Sequence, residues 1–228
     1  MVEVHQLFFS IVTEQIQPLS EKYTLRNAYQ WAAMITMTLD HIGYIYDIQE
    51  FRYIGRLAMP FYALLFAMTI RSGHLHLGRL FWLAAASQLP AMYAVHLEKL
   101  NIIFGFWIFG WTVNAYKKHI WSDFAAGLLM MLIPVSYGWY LYATMLIFCC
   151  LRQKYLQVPA FGIVTAVYTY VMYIHWRQML AVLVPCIVWI KAPRPNKYLY
   201  RYFYPGHLII LAIMKYFHLW MPDWYYWY

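Results

Sequence analysis

The sequence predicts an all-α protein, a polytopic bundle of helices integral to a membrane. Hydrophobic residues make up 64% of the 228 residues and charged residues only 11%, which is far from the balance of soluble domains. The apolar runs recur along the whole chain, and they do not alternate apolar with polar residues as the strands of a transmembrane barrel do. Aromatic residues reach 21%, and many Trp and Tyr lie at the ends of apolar runs, where amphipathic rings favour the headgroup region.

About nine apolar segments are candidates for membrane-crossing helices, each of which needs roughly 20 residues. The sixth and the eighth are short, so a tilted or re-entrant arrangement stays open for them. The segments cover residues 27–46, 53–70, 80–95, 101–116, 121–137, 139–151, 157–175, 178–190 and 202–220.

The Lys and Arg residues between these segments predict the orientation of the chain. Twelve lie on the side of the N-terminus and four on the other side. Because cytoplasmic loops are enriched in Lys and Arg, we expect the N-terminus in the cytoplasm. Most of the net charge of +8 then lies at the cytoplasmic face.

The two ends of the chain are expected to lie outside the transmembrane domain of residues 27–220. Residues 1–26 lack the basic start and the small-residue cleavage site of a removable signal peptide. They are typical of an amphipathic helix on the membrane surface, with packing against other helices as the alternative. Residues 221–228 form an aromatic C-terminal tail.

Several function classes are disfavoured by what the sequence lacks. It has no Walker-type or dinucleotide-binding glycine motif, which disfavours an ATPase and a Rossmann enzyme. It has no basic run interleaved with aromatic residues, which disfavours a nucleic-acid-binding module. His74 and His76 have no carboxylate or cysteine nearby to complete a metal site, so we expect no metal. The three cysteines are expected to be packing residues.

Asp40 and His41 are the most informative residues, because ionisable side chains inside an apolar span are costly and usually have a partner or a function. Arg56 begins the next span. We expect an Asp40–Arg56 ion pair that holds the first two spans together and leaves His41 facing a cavity. The alternatives are a pure packing pair and a hydrogen-bonded core histidine.

Further polar residues interrupt other spans. Tyr204-Pro205-Gly206-His207 opens the last span, and Pro and Gly there free backbone groups that need protein or water as partners, so His207 is a second functional candidate. Ser87, Gln88, Asn101 and Tyr204 are candidates for positioning a substrate. For the first three, interhelical hydrogen bonding is the alternative.

The cytoplasmic cations are candidates for holding a phosphorylated cofactor, since guanidinium and ammonium groups bind phosphates well. Topology alone is the alternative explanation. The candidate residues are Arg79, Lys117, Lys118, Arg152, Lys154, Arg194 and Lys197.

Five motifs in this order and spacing resemble the TraX family of bacterial conjugation systems, over roughly residues 27–215. They are Leu39-Asp40-His41-Ile42-Gly43, the run from Tyr53 to Tyr62 that contains Gly55-Arg56, Ser87-Gln88-Leu89-Pro90, Leu100-Asn101-Ile102-Ile103-Phe104, and Phe203-Tyr204-Pro205-Gly206-His207-Leu208.

The resemblance implies a multi-pass protein of the bacterial inner membrane that transfers acetyl from acetyl-CoA to the N-terminal amine of a pilin subunit. His41 or His207 would be the base, Asp40 would orient a histidine or Arg56, and Arg56 or Asn101 would stabilise an oxyanion. Two alternatives stay open: a pilin assembly factor without enzymatic activity, and an acyltransferase or transporter for another small or lipid substrate. The absence of an internal repeat weakens the transporter alternative.

Overall fold

The structure is a computed structural model, and it describes residues 23–172, 176–187 and 190–217. Residues 1–22, which form most of the predicted surface helix, and the predicted aromatic tail at residues 221–228 lie outside the described residues.

The described residues are predominantly helical, which confirms the predicted all-α class. A two-stranded antiparallel sheet of β1 (Tyr23–Thr24) and β2 (Ala192–Pro193) and a 3₁₀ helix, Trp176–Cys186, accompany the α-helices. The α-helices seen in this part of the chain are α1 (Leu25–Ile45), α2 (Gln49–Gly55), α3 (Ala58–Arg71), α4 (Leu77–Val95), α5 (Ile102–Lys117), α6 (Trp121–Met130), α7 (Trp139–Cys150), α8 (Lys154–Val171) and α9 (Lys197–Tyr216).

The number of membrane crossings is not confirmed. Within the described ranges, one helical stretch, Gln49–Arg71, is long and apolar enough to cross a membrane. Trp139–Cys150 is a shorter apolar helix. At a rise of 1.5 Å per residue, the ten residues of α6 extend only about 15 Å, half of the roughly 30 Å of a bilayer core.

Helix α3 lies at the centre of the hydrophobic core. Apolar side chains surround this helix on most sides, and Met59, Phe61 and Leu64 are almost completely buried. It packs against α1 and α7, while α9 packs along α4. An α-helix that is apolar all round is expected at such a central position.

The small sheet brings the first residues of α1 beside the segment that leads into α9. Thr24 pairs with Ala192, and the Thr24 hydroxyl accepts a hydrogen bond of 3.1 Å from the Asn27 N–H, which caps α1. The Trp31 indole donates a hydrogen bond of 3.0 Å to the Pro193 carbonyl. Helices α1 and α9 therefore begin at the same end of the bundle, and the basic residues near their N-termini come together.

Candidate functional site

His41 of α1 and His207 of α9 form a hydrogen-bonded pair inside the bundle. His41 Nδ1 lies 2.8 Å from His207 Nε2. The ring planes differ by 7° and the ring centres are 5.0 Å apart, so the imidazoles lie edge to edge in nearly one plane rather than face to face. From the sequence, the two histidines are separate functional candidates in different spans. The structure brings them into one site.

The surroundings of His207 hold its ring in place. His207 Nδ1 lies 2.8 Å from the Phe203 carbonyl oxygen, one turn earlier in α9. The Phe203 ring stacks on the imidazole with a centroid distance of 4.7 Å, and the Tyr204 ring contacts it edge-on at 5.5 Å. His207 is buried, whereas His41 is partly exposed. His207 is therefore the more constrained member of the pair.

Asp40 pairs with Arg52, and the expected Asp40–Arg56 pair is wrong. Arg52 Nη1 lies 3.3 Å from Asp40 Oδ1, within ion-pair distance but without the alignment of a hydrogen bond, so this buried oxygen accepts none from the described residues. The prediction of Arg56 rests on one continuous span over residues 53–70, with Arg56 near its start. The structure has two helices there, and α2 begins at Gln49, which brings Arg52 to Asp40.

Gly55 is the residue that permits this close approach of α2 to α1. A Cβ atom at position 55 would overlap the side chain of Asp40. Gly43 has a similar role, because a Cβ there would lie 2.8 Å from the Ile48 carbonyl oxygen. The glycines of the first two motifs thus set the distance between the helices that carry Asp40, His41 and Arg52.

Arg56 and Tyr137 complete the polar surroundings of Asp40. The charge of Arg56 acts on the Asp40 carboxyl group and on the Tyr137 phenol, and Tyr137 is in turn electrostatically coupled to Tyr204. Arg52 forms the ion pair with Asp40, and the charge of Arg56 acts on the same carboxyl group, so two positive charges act on one negative charge.

Tyr137 was missed by the sequence reasoning. It lies in the loop between α6 and α7 with a left-handed φ of 66°, which is an outlier for a bulky residue and marks a constrained position. The only signal in the sequence is the turn-like run Ser136-Tyr137-Gly138 between two short apolar segments.

A cavity of about 410 Å³ extends from the shared end of α1 and α9 towards the histidine pair. Its inner wall is apolar and aromatic and includes Met37, Tyr62 and Tyr204. Met37 precedes His41 by one helical turn on the same face of α1, and Tyr204 contacts His207. Tyr204, the predicted substrate-positioning residue, therefore lies between the cavity and the pair.

The mouth of the cavity is strongly basic. Three of the seven predicted cofactor-binding residues line it, and Arg26 and Arg201 add two cations that the sequence did not single out. His74 and His76, for which we expect no metal site, also line it. No carboxylate lines the cavity among the described residues. The three predicted residues are Arg79, Arg194 and Lys197.

The other four predicted cofactor-binding residues do not line this cavity. Among these four, Lys117 Nζ donates instead to the Ile70 carbonyl at the C-terminal end of α3, at 3.4 Å, and Lys154 Nζ donates to Gln157 Oε1 at 3.0 Å. A cation at a helix C-terminus complements the helix dipole, which gives Lys117 a structural explanation. The four residues placed away from the cavity are Lys117, Lys118, Arg152 and Lys154.

Ser87, Gln88 and Asn101 bond to one another and to the backbone rather than facing the cavity. The side-chain oxygen of Asn101, Oδ1, accepts from the N–H groups of Ile103 and Phe104 in the first turn of α5. Its side-chain nitrogen, Nδ2, donates to the Ala84 carbonyl at 2.8 Å and to Ser87 Oγ at 3.4 Å. Gln88 Oε1 accepts from the Asn101 N–H at 2.9 Å. The structure thus favours the interhelical alternative over substrate positioning for these three residues.

Comparisons with known proteins identify one match. A family model described as TraX protein matches residues 25–215, a range that includes the histidine pair, Asp40, Arg56 and the basic mouth of the cavity. No curated protein and no solved structure matches the chain.

Proposed function

This chain belongs to the TraX family, which links it to conjugative transfer and pilin processing, and we propose that it is a membrane-embedded acetyltransferase. The donor in this proposal is acetyl-CoA, and the acceptor is the N-terminal amine of a pilin subunit. The protein lies in the bacterial inner membrane and crosses it several times.

Exposed apolar side chains support the membrane location. On α4, Trp82 is 72% exposed and Leu89 75%, and on α8 Ile163 is 66% exposed. Soluble proteins rarely expose large contiguous apolar patches, because water does not stabilise them. The polar groups of the histidine pair face the interior, as expected for ionisable groups at membrane depth.

The observation that carries the proposal is the basic-mouthed cavity leading to the histidine pair. Five Lys and Arg side chains line the cavity, with no carboxylate among the described lining residues, and they suit the 3′-phosphate and pyrophosphate of CoA. The apolar inner wall of the cavity suits the pantetheine arm. Tyr204 lines this wall, and its ring centre lies 5.5 Å from that of His207. Along α1, Arg26 and His41 are 15 residues apart, about 22 Å of helix. This separation suits a ligand with its phosphates at one end and its thioester at the other.

The histidine pair suits the chemistry of the acceptor. An α-amino group has a pKa near 8, so a modest base suffices to remove its proton at neutral pH. The excess positive charge of Arg52 and Arg56 beside Asp40 is available to stabilise the oxyanion that develops on the acetyl carbonyl. Asp40 keeps the two guanidinium groups near the reacting centre.

The test is acetylation of a pilin N-terminal peptide by the purified protein in detergent micelles. With acetyl-CoA, we expect the peptide mass to increase by one acetyl group, located at the α-amine by fragmentation. A peptide with a blocked N-terminus and free lysine side chains is the acceptor control. No acetylated peptide with the wild-type protein, or acetylation of the blocked peptide at the same rate, overturns the proposal.

Acetyl-pantetheine is the matched donor control, because it carries the thioester but lacks the nucleotide and its phosphates. If the basic mouth holds the CoA phosphates, acetyl-pantetheine is used with a much higher KM, by about ten- to a hundredfold. Equal KM values for the two donors would remove the assigned role of the cavity mouth.

A further inference from the structure

We propose that His41 is the catalytic base, acting through Nε2, and that His207 is a positioning residue that sets its tautomer and orientation. This assignment rests on the proposed acetyl transfer for its chemistry. The hydrogen bonds that carry it are independent of the identity of the substrate.

The proton positions follow from the Phe203 carbonyl. A carbonyl oxygen can only accept, so His207 Nδ1, 2.8 Å away, must carry a proton. In a neutral imidazole the other nitrogen is then an acceptor, so His207 Nε2 presents a lone pair. His41 Nδ1, 2.8 Å from that lone pair, must therefore donate.

Of the four ring nitrogens in the two histidines, His41 Nε2 is the one whose lone pair is not engaged in a hydrogen bond with the described residues. No described residue forms a hydrogen bond with this atom, and His41 is partly exposed, whereas His207 is buried. Both nitrogens of His207 are engaged, one with Phe203 and one with His41. His207 has no lone pair to offer a substrate, so the reverse assignment would require both hydrogen bonds to break.

The geometry holds His41 in one orientation. The two rings are within 7° of coplanar, so the hydrogen-bonding lone pair of His207 lies in the plane of the His41 ring. His207 is itself fixed by stacking on Phe203 and by the edge of Tyr204. The Phe203 carbonyl orients His207, and His207 orients His41. In the same way, the aspartate of a catalytic triad orients the histidine that acts as base.

The reaction balances through this base. His41 Nε2 takes a proton from the acceptor nitrogen as that nitrogen bonds to the acetyl carbonyl carbon. The charge on the resulting imidazolium is stabilised by the hydrogen bond from His41 Nδ1 to His207 Nε2. When the carbon–sulfur bond breaks, the CoA sulfur leaves with the bonding electron pair, and the imidazolium returns the proton to it as a thiol.

Three variants separate the two roles. In His207→Gln, the Gln Oε1 can accept from His41 Nδ1 in place of the imidazole, so kcat should fall less than about tenfold. His207→Leu removes the acceptor, and kcat should fall on the order of a hundredfold with KM for acetyl-CoA nearly unchanged. His41→Gln removes the base and should lower kcat by 10²- to 10⁴-fold. Equal losses in His207→Gln and His41→Gln, or a larger loss in His207→Gln, would overturn the assignment.

Nitrogen-15 NMR of histidine-labelled protein in micelles tests the tautomers without any substrate. The signals are assigned from the variants, and we expect a protonated Nδ1 and an unprotonated Nε2 on both residues. An Nε2-protonated tautomer of either histidine contradicts the assignment. If the wild-type protein transfers no acetyl group, the proposed function fails, whereas the NMR result still decides the hydrogen-bond chain.

Discussion

Two clusters of polar side chains lie among the apolar helices, and they differ in how completely their hydrogen bonds are satisfied. The Asn101 cluster, made of Ser87, Gln88 and Asn101, joins α4 to α5. All of the polar side-chain atoms of Asn101 have protein partners. The His41 cluster, made of Asp40, His41, Arg52, Arg56 and His207, joins α1 to α2 and α9.

The His41 cluster leaves acceptors open where the Asn101 cluster leaves none. Asp40 Oδ1 is buried without a hydrogen bond, and His41 Nε2 has no partner among the described residues. Buried polar groups without partners are costly, so a protein keeps them mainly where they serve a function. This difference supports a structural role for the Asn101 cluster and the proposed chemical role for the His41 cluster.

The largest expected effect is on activity in the His41 cluster. If the protein transfers acetyl as proposed, His41→Ala should lower the rate by 10²- to 10⁴-fold, because the proposed base is lost. The melting temperature in detergent should change little, since His41 makes one side-chain hydrogen bond and is partly exposed. A variant that unfolds but keeps its activity per folded molecule would contradict this division of roles.

The next effect is on stability in the Asn101 cluster. Asn101→Ala should lower the free energy of unfolding by about 2–4 kcal/mol, because a helix cap is lost and the buried Ala84 carbonyl loses a partner. Thermal unfolding in detergent measures the change. Asn101→Ser keeps a capping oxygen and should recover about 1 kcal/mol of the loss. An unchanged melting temperature with lost activity would move Asn101 to the chemical cluster.

Gly55→Ala tests whether close helix packing supports the His41 cluster. The added methyl group overlaps Asp40, so we expect a loss of about 1–3 kcal/mol in stability and a lower rate of acetyl transfer. Gly78→Ala is the matched control, because open space surrounds this helical position. That control should be neutral or stabilising by up to about 1 kcal/mol. Equal effects of the two substitutions would contradict the packing argument.

The smallest effect concerns the cavity that serves the His41 cluster. Lys197→Ala at the mouth should raise the KM for acetyl-CoA by about three- to tenfold, because one charge-assisted contact to a phosphate is lost. Lys118→Ala is the matched lysine control at an exposed position away from the cavity, and its KM should be unchanged. The difference should disappear with acetyl-pantetheine as donor.

Most helical segments are predicted correctly, but the prediction misses the break between α2 and α3. The predicted segment 27–46 corresponds closely to Leu25–Ile45, because a long apolar run specifies a helix locally. The structure ends α2 at Gly55 and places Pro60, which has no N–H to donate, in the first turn of α3, so two local breakers flank the division that a single span 53–70 left out. The first of these helices also begins earlier than predicted, at Gln49. This one difference moved the partner of Asp40 from Arg56 to Arg52.

The candidate site was predictable in its residue types but not in its grouping. Asp40, His41 and His207 stood out because each is a polar group in an apolar run. The contact of His41 with His207, 166 residues later, depends on the rotation of α1 and α9 about their own axes. The gathering of Arg26, Arg194 and Lys197 around one cavity depends on the β1–β2 pairing, which no local sequence pattern predicts.

By itself, the sequence determined the all-α class, the positions of most helices, the excess of positive charge and the polar residues that an apolar environment makes costly. Hydropathy and helix propensity act between neighbours along the chain, so these features can be read locally. Only the tertiary structure decided which polar atoms find partners, because a hydrogen bond of about 2.8 Å depends on how distant helices pack. Helix packing gives every polar side-chain atom of Asn101 a partner, and it leaves Asp40 Oδ1 and His41 Nε2 without a hydrogen bond from the described residues.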